Sequence, residues 1–185
     1  LGHCGIRYGR QARIGGLDFG WDHPSAAVEL CHDREQHILY VTKTHRMRQA
    51  TPLMFAAGIK PWGPWLPWAW PHDGLRQDKD PQAGRQLSEL YADQGLNMLH
   101  SPASWNDDTL DNSVEPGIVG MLDYMQAGRF KVLAHLDEWW LEFDDYHRKD
   151  GIIVKEDDDL MSATRVAFMS RRHAVLPPRA ARAPN

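Results

Sequence analysis

Ala12-Arg13-Ile14-Gly15-Gly16-Leu17-Asp18-Phe19-Gly20 is the stretch on which the fold of this 185-residue chain turns. From Ala12 to Phe19 it is apolar and contains glycine, the pattern of a strand, and it ends next to an aspartate. Gly16 and Gly20 bracket Asp18 and leave room for backbone or ligand to come close. Taken alone, Asp18 reads equally as a strand-end turn residue and as a ligand.

Outward from this run, Ser25 to Leu30 and His37 to Thr44 are further strands, separated by the polar turn Cys31 to Gln36. The three predict a meander. Thr51 to Ile59 predicts a short helix, with Thr51 as cap and Pro52 at its first position. Leu66 to Trp70 is a fourth strand among Trp62, Trp65, Trp68 and Trp70, where packing outweighs ligand stacking. A polar loop over 74–84 precedes a helix over 85–94 that Gly95 stops, and Leu96 to Leu99 is a brief fifth strand. After a loop over 101–111, Asn112-Ser113-Val114-Glu115-Pro116 opens a helix carrying Ile118, Met121, Leu122 and Met125 as an apolar stripe. Phe130 to Leu133 is extended, and Leu136 to Arg148 is an amphipathic helix with Trp139, Trp140, Phe143 and His147 at helical intervals. Asp159 to Arg171 is the last helix.

Strands first, then helices alternating with short strands, predict an α/β fold with a mixed central sheet flanked by helices. Residues 13–172 read as one domain, 1–12 as an extension or linker, and 173–185 as a flexible basic, proline-rich tail. The chain begins at Leu1 rather than Met, as a piece of a longer protein or a trimmed chain would.

A hydrophobic content of 42% with 25% charged residues is ordinary for a globular domain long enough to bury a core. No run is long enough to span a membrane, and no positively charged start leads into an apolar signal region. Two cysteines, Cys4 and Cys31, give neither a disulfide framework nor metal-ligand spacing, so a reducing compartment is expected. The formal charge of −4 argues against a simple polyanion-binding surface, although an acidic metal site adds negative charge that bound cations offset.

Two more acidic segments join Asp18. Trp70-Pro71-His72-Asp73-Gly74 repeats the strand-then-aspartate pattern, although Asp-Gly is also a turn signal. Glu156-Asp157-Asp158-Asp159 stands at the start of the last helix, where one or two acids suit the helix dipole but four in a row repel one another. Asp159, Ser162 and Val166 share one helical face, making Asp159 the first candidate ligand and Asp158 the second, ahead of Asp157 and Glu156. Asp22 and His23 read as solvated loop residues or as outer partners of a site. Carboxylates from strand ends and a helix start can converge, and hard divalent cations prefer such oxygen ligands, so the set points to a metal-dependent hydrolase of phosphate esters. Local basic groups are candidate phosphate contacts: Lys43, Arg46 and Arg48 beyond the third strand, Arg76 and Lys79 after Asp73, and Arg148 with Lys149.

On these residues the chain resembles the C-terminal nuclease domain of tailed-bacteriophage terminase large subunits, which has an RNase H-like fold. The resemblance runs from about Arg13 to Arg171 and rests on 16–24, 70–74, 128–132, 146–151 and 156–167. It implies a DNA endonuclease that cleaves double-stranded concatemers during viral genome packaging, with Mg²⁺ or Mn²⁺, two ions, as cofactor. By this resemblance Asp18 is the first-strand acid bridging both ions and Asp73 the acid of the next catalytic strand. Asp159, with Asp158, supplies the third position. The family pattern has an acid directly before the Ala-x-Arg of the last helix, where this chain has Ser162, so the register of that third acid stays open within 157–159. The resemblance further implies double-stranded DNA, an N-terminal ATPase domain of the same polypeptide, and the portal and small terminase subunit as partners, in the host cytoplasm. No Gly-x4-Gly-Lys-Ser/Thr loop is present, so no ATP-driven activity is expected of this chain alone. Another RNase H-like phosphodiesterase, such as a junction resolvase or ribonuclease, and a non-catalytic DNA- or portal-binding module are the competing readings.

Overall fold

The structure, a computed structural model, describes residues 11–76, 84–105, 114–147 and 157–178, and the backbone of 148–149 and 152–153. Strands β1 (Ala12–Asp18), β2 (Ser25–Asp33) and β3 (Ile38–Met47) form the antiparallel meander read from the sequence. The β2–β3 turn closes where the Asp33 carboxylate accepts the backbone N–H of Glu35 (3.1 Å) and Gln36 (3.0 Å). Both strands run further than their apolar cores suggest. Arg46 therefore sits on β3, opposite Ala26, and not beyond it.

Strand β4 (Pro67–Ala69) lies parallel to β1, β5 (Asn97–Met98) parallel to β4, and β6 (Phe130–Val132) parallel to β3. The resulting six-stranded mixed sheet has the order β5-β4-β1-β2-β3-β6, which leaves β1 inside it. A separate hairpin joins β7 (Arg148–Lys149) to β8 (Ile152–Ile153).

Helices cover both faces. On one lie α1 (Pro52–Ile59) and α2 (Leu87–Asp93), which bury Phe55, Ile59 and Tyr91 against Leu17, Ala27 and Trp68. Thr51 caps α1 by accepting the Met54 N–H at 3.3 Å, ahead of Pro52, as its sequence position predicts. On the other face lie α3 (Val114–Gln126), α4 (Asp137–Asp145) and α5 (Asp159–Met169), whose Trp139, Leu160, Val166 and Phe168 pack on Ile14, Val28 and Leu30. Trp139 is core while Trp140 is partly exposed, and Trp68 and Trp70 are buried, in line with a packing role for most tryptophans. No helix among the described residues is long and apolar enough to cross a membrane.

Three boundaries differ from expectation. The last helix stops at Met169, because Arg171 and Arg172 turn back to donate to the Phe168 and Met169 carbonyls, each at 2.8 Å. Helix α4 stops at Asp145, and His147 lies outside it. Val175, assigned to the flexible tail, exchanges backbone hydrogen bonds with Arg13 (2.7 and 3.0 Å).

Strand alternation sorts β1 into two sets: Leu17 faces α1 and α2, whereas Ile14, Gly16 and Asp18 face α5. Helix α5 crosses at Gly16, where a Cβ would stand 2.2 Å from the Ala163 carbonyl oxygen and 2.7 Å from the Ala167 Cβ. Gly16→Ala should push the helix off the strand, costing about 2 kcal/mol and lowering the thermal midpoint by about 4–8 °C. A melting curve identical to that of the parent chain would contradict this close approach.

Candidate metal centre

The crossing at Gly16 carries the first turn of α5 to the end of β1. There one ligand atom each of Asp18, His23 and Asp159 fall within 4.8 Å of one another. The turn that supplies His23 is fixed by Ser25, whose hydroxyl donates to the Gly20 carbonyl (2.9 Å) and accepts the Gly20 N–H (3.1 Å). Asp159 is buried, and both of its carboxylate oxygens are engaged. His23 Nδ1 lies 3.0 Å from Oδ1, and Arg46 Nη2 donates to Oδ2 at 2.9 Å. Asp158 accepts the Ser162 hydroxyl at 3.4 Å, so the serine at the family's acidic position touches a neighbouring acid.

A cleft of about 430 Å³ opens on this group, and its walls include Asp157, Asp158, Ser162 and Arg165. Asp73 lines the same cleft but stands apart from the three-residue cluster. It sits in a 3₁₀ turn (His72–Leu75) after β4, with its Oδ2 2.9 Å from Arg76 Nη2. The fold thus gathers Asp18 and Asp159 tightly, with Asp158 on the same cleft wall, and leaves Asp73 paired with its own arginine.

Burial pushes the Asp18 carboxyl up to about 7, and the charges of Asp159 and Asp158 push the same way, while His23 and Arg165 pull it down. Burial also lowers the Arg165 guanidinium below its usual range.

Glu142 and Arg46 supply the support that sequence reading missed. Glu142 on α4 is buried, and its Oε2 accepts the backbone N–H of Leu160 (2.7 Å) and Met161 (3.2 Å). These are orphan donors of the first turn of α5, which has no side-chain cap of its own. The Glu142 Oε1 lies 3.5 Å from Arg46 Nε, and Arg46 also reaches Asp157 at 3.3 Å. Burial raises the Glu142 carboxyl to about 7 against the pull of Arg46 and the two N–H groups. A signal was available: Glu142 follows Trp139 by one helical turn, on the face that carries the core tryptophan.

Of the basic candidates for DNA, Arg46 is committed inward to these carboxylates. Lys43 pairs with Glu29 at 3.0 Å and lies over the Trp62 ring, and Arg76 is held by Asp73. Arg48 is exposed. Lys79 and the side chains of Arg148 and Lys149 lie outside the described residues, as does Glu156.

The family model of the terminase RNaseH-like domain matches residues 15–171. The chain belongs to this terminase family. It is 40% identical over 162 residues to the terminase large subunit of Salmonella phage P22, covering 87% of this chain and 32% of that protein. It thus spans about a third of the length of that relative. Among solved structures, the P22 large terminase nuclease domain matches with a TM-score of 0.82 at 38% identity, covering 91% of this chain and 85% of that one. The large terminase nuclease of the thermophilic phage G20c, solved with bound cobalt, matches with a TM-score of 0.60 at 19% identity, covering 85% of this chain and 80% of that one. At that identity it shares the fold. The RNase H-like architecture and the terminase resemblance read from the sequence are therefore shown.

Proposed function

We propose that this chain is a divalent-metal-dependent DNA endonuclease domain, which cleaves double-stranded concatemers during viral genome packaging. The observation that carries the reading is the convergence of Asp18 and Asp159, from opposite ends of the chain, in a cleft that Asp73 and Asp158 also line.

The residues fit a hard cation. The donors are mainly carboxylate oxygens, and burial, with repulsion from Asp159 and Asp158, raises the Asp18 carboxyl to about 7, a cost of ionisation that a cation would relieve. Asp18, Asp158 and Asp159, with Asp73 from the same cleft, would hold the metal. Mg²⁺ or Mn²⁺, two ions in this reading, would supply an activated water and charge stabilisation for the leaving oxygen. The protein's own part is orientation. His23 fixes one oxygen of Asp159, Arg46 fixes the other, and Glu142 secures the helix start that carries both Asp158 and Asp159. The cobalt-bound G20c relative supports a metal-binding role for this fold.

Arg48, Arg76, Lys79, Arg148 and Lys149 are the proposed DNA contacts, salt-sensitive and indifferent to sequence. Lys43 and Arg46 would have to leave internal carboxylates to join them. The proposed partners are double-stranded DNA, an ATPase domain of the same polypeptide, and the portal and small terminase subunit, in the host cytoplasm.

A plasmid-nicking assay tests the reading. Supercoiled plasmid should convert to open-circular and linear forms with Mn²⁺ and stay intact with chelator. Intact plasmid under both conditions would favour a non-catalytic packaging module, and preference for a four-way junction or an RNA–DNA hybrid would favour another RNase H-like enzyme. Metal at tenfold its Kd should also raise the thermal midpoint by about 3–6 °C. A midpoint indifferent to millimolar Mn²⁺ speaks against a preformed site.

A further inference from the structure

Beside the carboxylate cleft lies a second cavity of about 720 Å³, and His23 and Asp73 belong to the walls of both. Its floor is aromatic: the Phe19 and Tyr91 rings pack with centroids 4.9 Å apart. Pro52 and Leu87 add apolar wall, and Trp21 stands at the side, 55% exposed on a turn that Gln49 ties down by donating to the Trp21 carbonyl at 3.2 Å. The Trp21 indole is thus open to a ligand in this cavity, with the acids Asp22 and Asp73 on the same walls. Arg76 also lines this cavity and is anchored on Asp73, the residue that separates it from the cleft.

A polymer whose phosphate occupies the first cleft must continue into a neighbouring space. This one offers a flat aromatic face for a base and a guanidinium for the adjoining phosphate. Asp22 on the same wall can accept an N–H from a base edge. We propose that this cavity receives the nucleotide flanking the scissile phosphate, its base unstacked from the duplex and laid against Trp21. The proposal rests on the nuclease reading for the identity of the strand. An apolar protein segment would suit Pro52 and Leu87, but it gives no reason for Arg76 at the boundary or for walls shared with the carboxylate cleft.

Taking a base out of a duplex is unfavourable, and least so where the base is already unpaired. The chain should therefore favour DNA with an unpaired nucleotide beside the cleavage point. The test compares two labelled duplexes, fully paired or carrying one unpaired nucleotide, with the parent chain, Trp21→Ala and Trp21→Phe. Binding is followed by fluorescence anisotropy in chelator and cleavage in Mn²⁺. The parent should bind and cut the unpaired duplex about 10-fold better, a stacking-sized effect. Trp21→Ala should erase the preference through KM, Trp21→Phe should keep most of it, and the Mn²⁺-induced rise in midpoint should persist in both. Equal binding of the two duplexes by the parent, or a preference that survives Trp21→Ala, overturns the proposal. A Trp21-dependent binding preference without any cleavage supports the subsite and refutes the nuclease reading instead.

Discussion

Asp18→Asn is expected to abolish metal-dependent nicking while raising the thermal midpoint of the metal-free chain. The two effects share one cause. Burial, with the charges of Asp159 and Asp158, raises the Asp18 carboxyl to about 7, so ionising it works against the fold. An amide of the same shape removes that penalty together with the ligand. The sign follows from linkage. With a folded pKa of about 7 against an ordinary 3.8, the folded chain keeps a proton that the unfolded chain has released between those values. The wild-type carboxylate therefore destabilises the fold progressively as pH rises through that window and by a constant amount above it. The advantage of Asp18→Asn in chelator should be absent near pH 4, grow to a few kcal/mol by pH 7–8, and then level off. Comparing the two proteins at each pH is essential. Burial lowers His32 to about 4, and the effect of that histidine on the whole chain has the opposite sign. Retained Mn²⁺-dependent nicking in Asp18→Asn would sink the assignment, and a pH-independent difference in midpoint would sink its electrostatic basis. Asp73→Asn should also stop nicking, without the gain in stability, because its carboxylate is half exposed and already paired with Arg76.

Glu142→Ala should be the most destabilising of the substitutions considered, by about 3 kcal/mol, or about 6–12 °C in midpoint. It strands the Leu160 and Met161 N–H groups inside the protein and leaves Arg46 short of a counter-charge. Glu142→Gln should recover most or all of the loss at pH 7–8, since an amide oxygen still accepts both N–H groups and avoids ionising a carboxyl that burial raises to about 7. Metal binding gives the discriminating measurement. If Glu142 positions Asp159, the alanine variant should need about 10–100-fold more Mn²⁺ for the same rise in midpoint, the usual effect of removing an outer-sphere partner. An unchanged Mn²⁺ requirement would reduce Glu142 to a structural cap.

The architecture was legible because it is written in short-range chemistry. The apolar run at Ala12–Asp18, the Thr51-Pro52 helix start and the Gly95 stop each act on their own neighbourhood, and the sheet and helices formed where they pointed. Asp18 and the acidic helix start stood out for the same reason. The support for the site was not legible, because it depends on which face of one element meets another. Reading β3 as ending at Thr44 put Arg46 in solvent, whereas three more ladder pairs carry it alongside β2, where it reaches Asp159. His23 looked like a loop histidine until the Ser25 clasp folded its turn back over the helix. Glu142 belongs to an acidic, amphipathic segment whose other acids, Asp137, Glu138, Asp144 and Asp145, are exposed, and composition does not separate them.

The contact between His23 and Asp159 joins residues 136 positions apart. Nearly the whole domain must therefore leave the ribosome before its two halves can meet. At bacterial elongation speeds the first-made carboxylate waits on the order of 10 s for its partner helix. Under the nuclease reading, the cleft is therefore completed only once α5 has been made, and a product truncated before α5 would lack it.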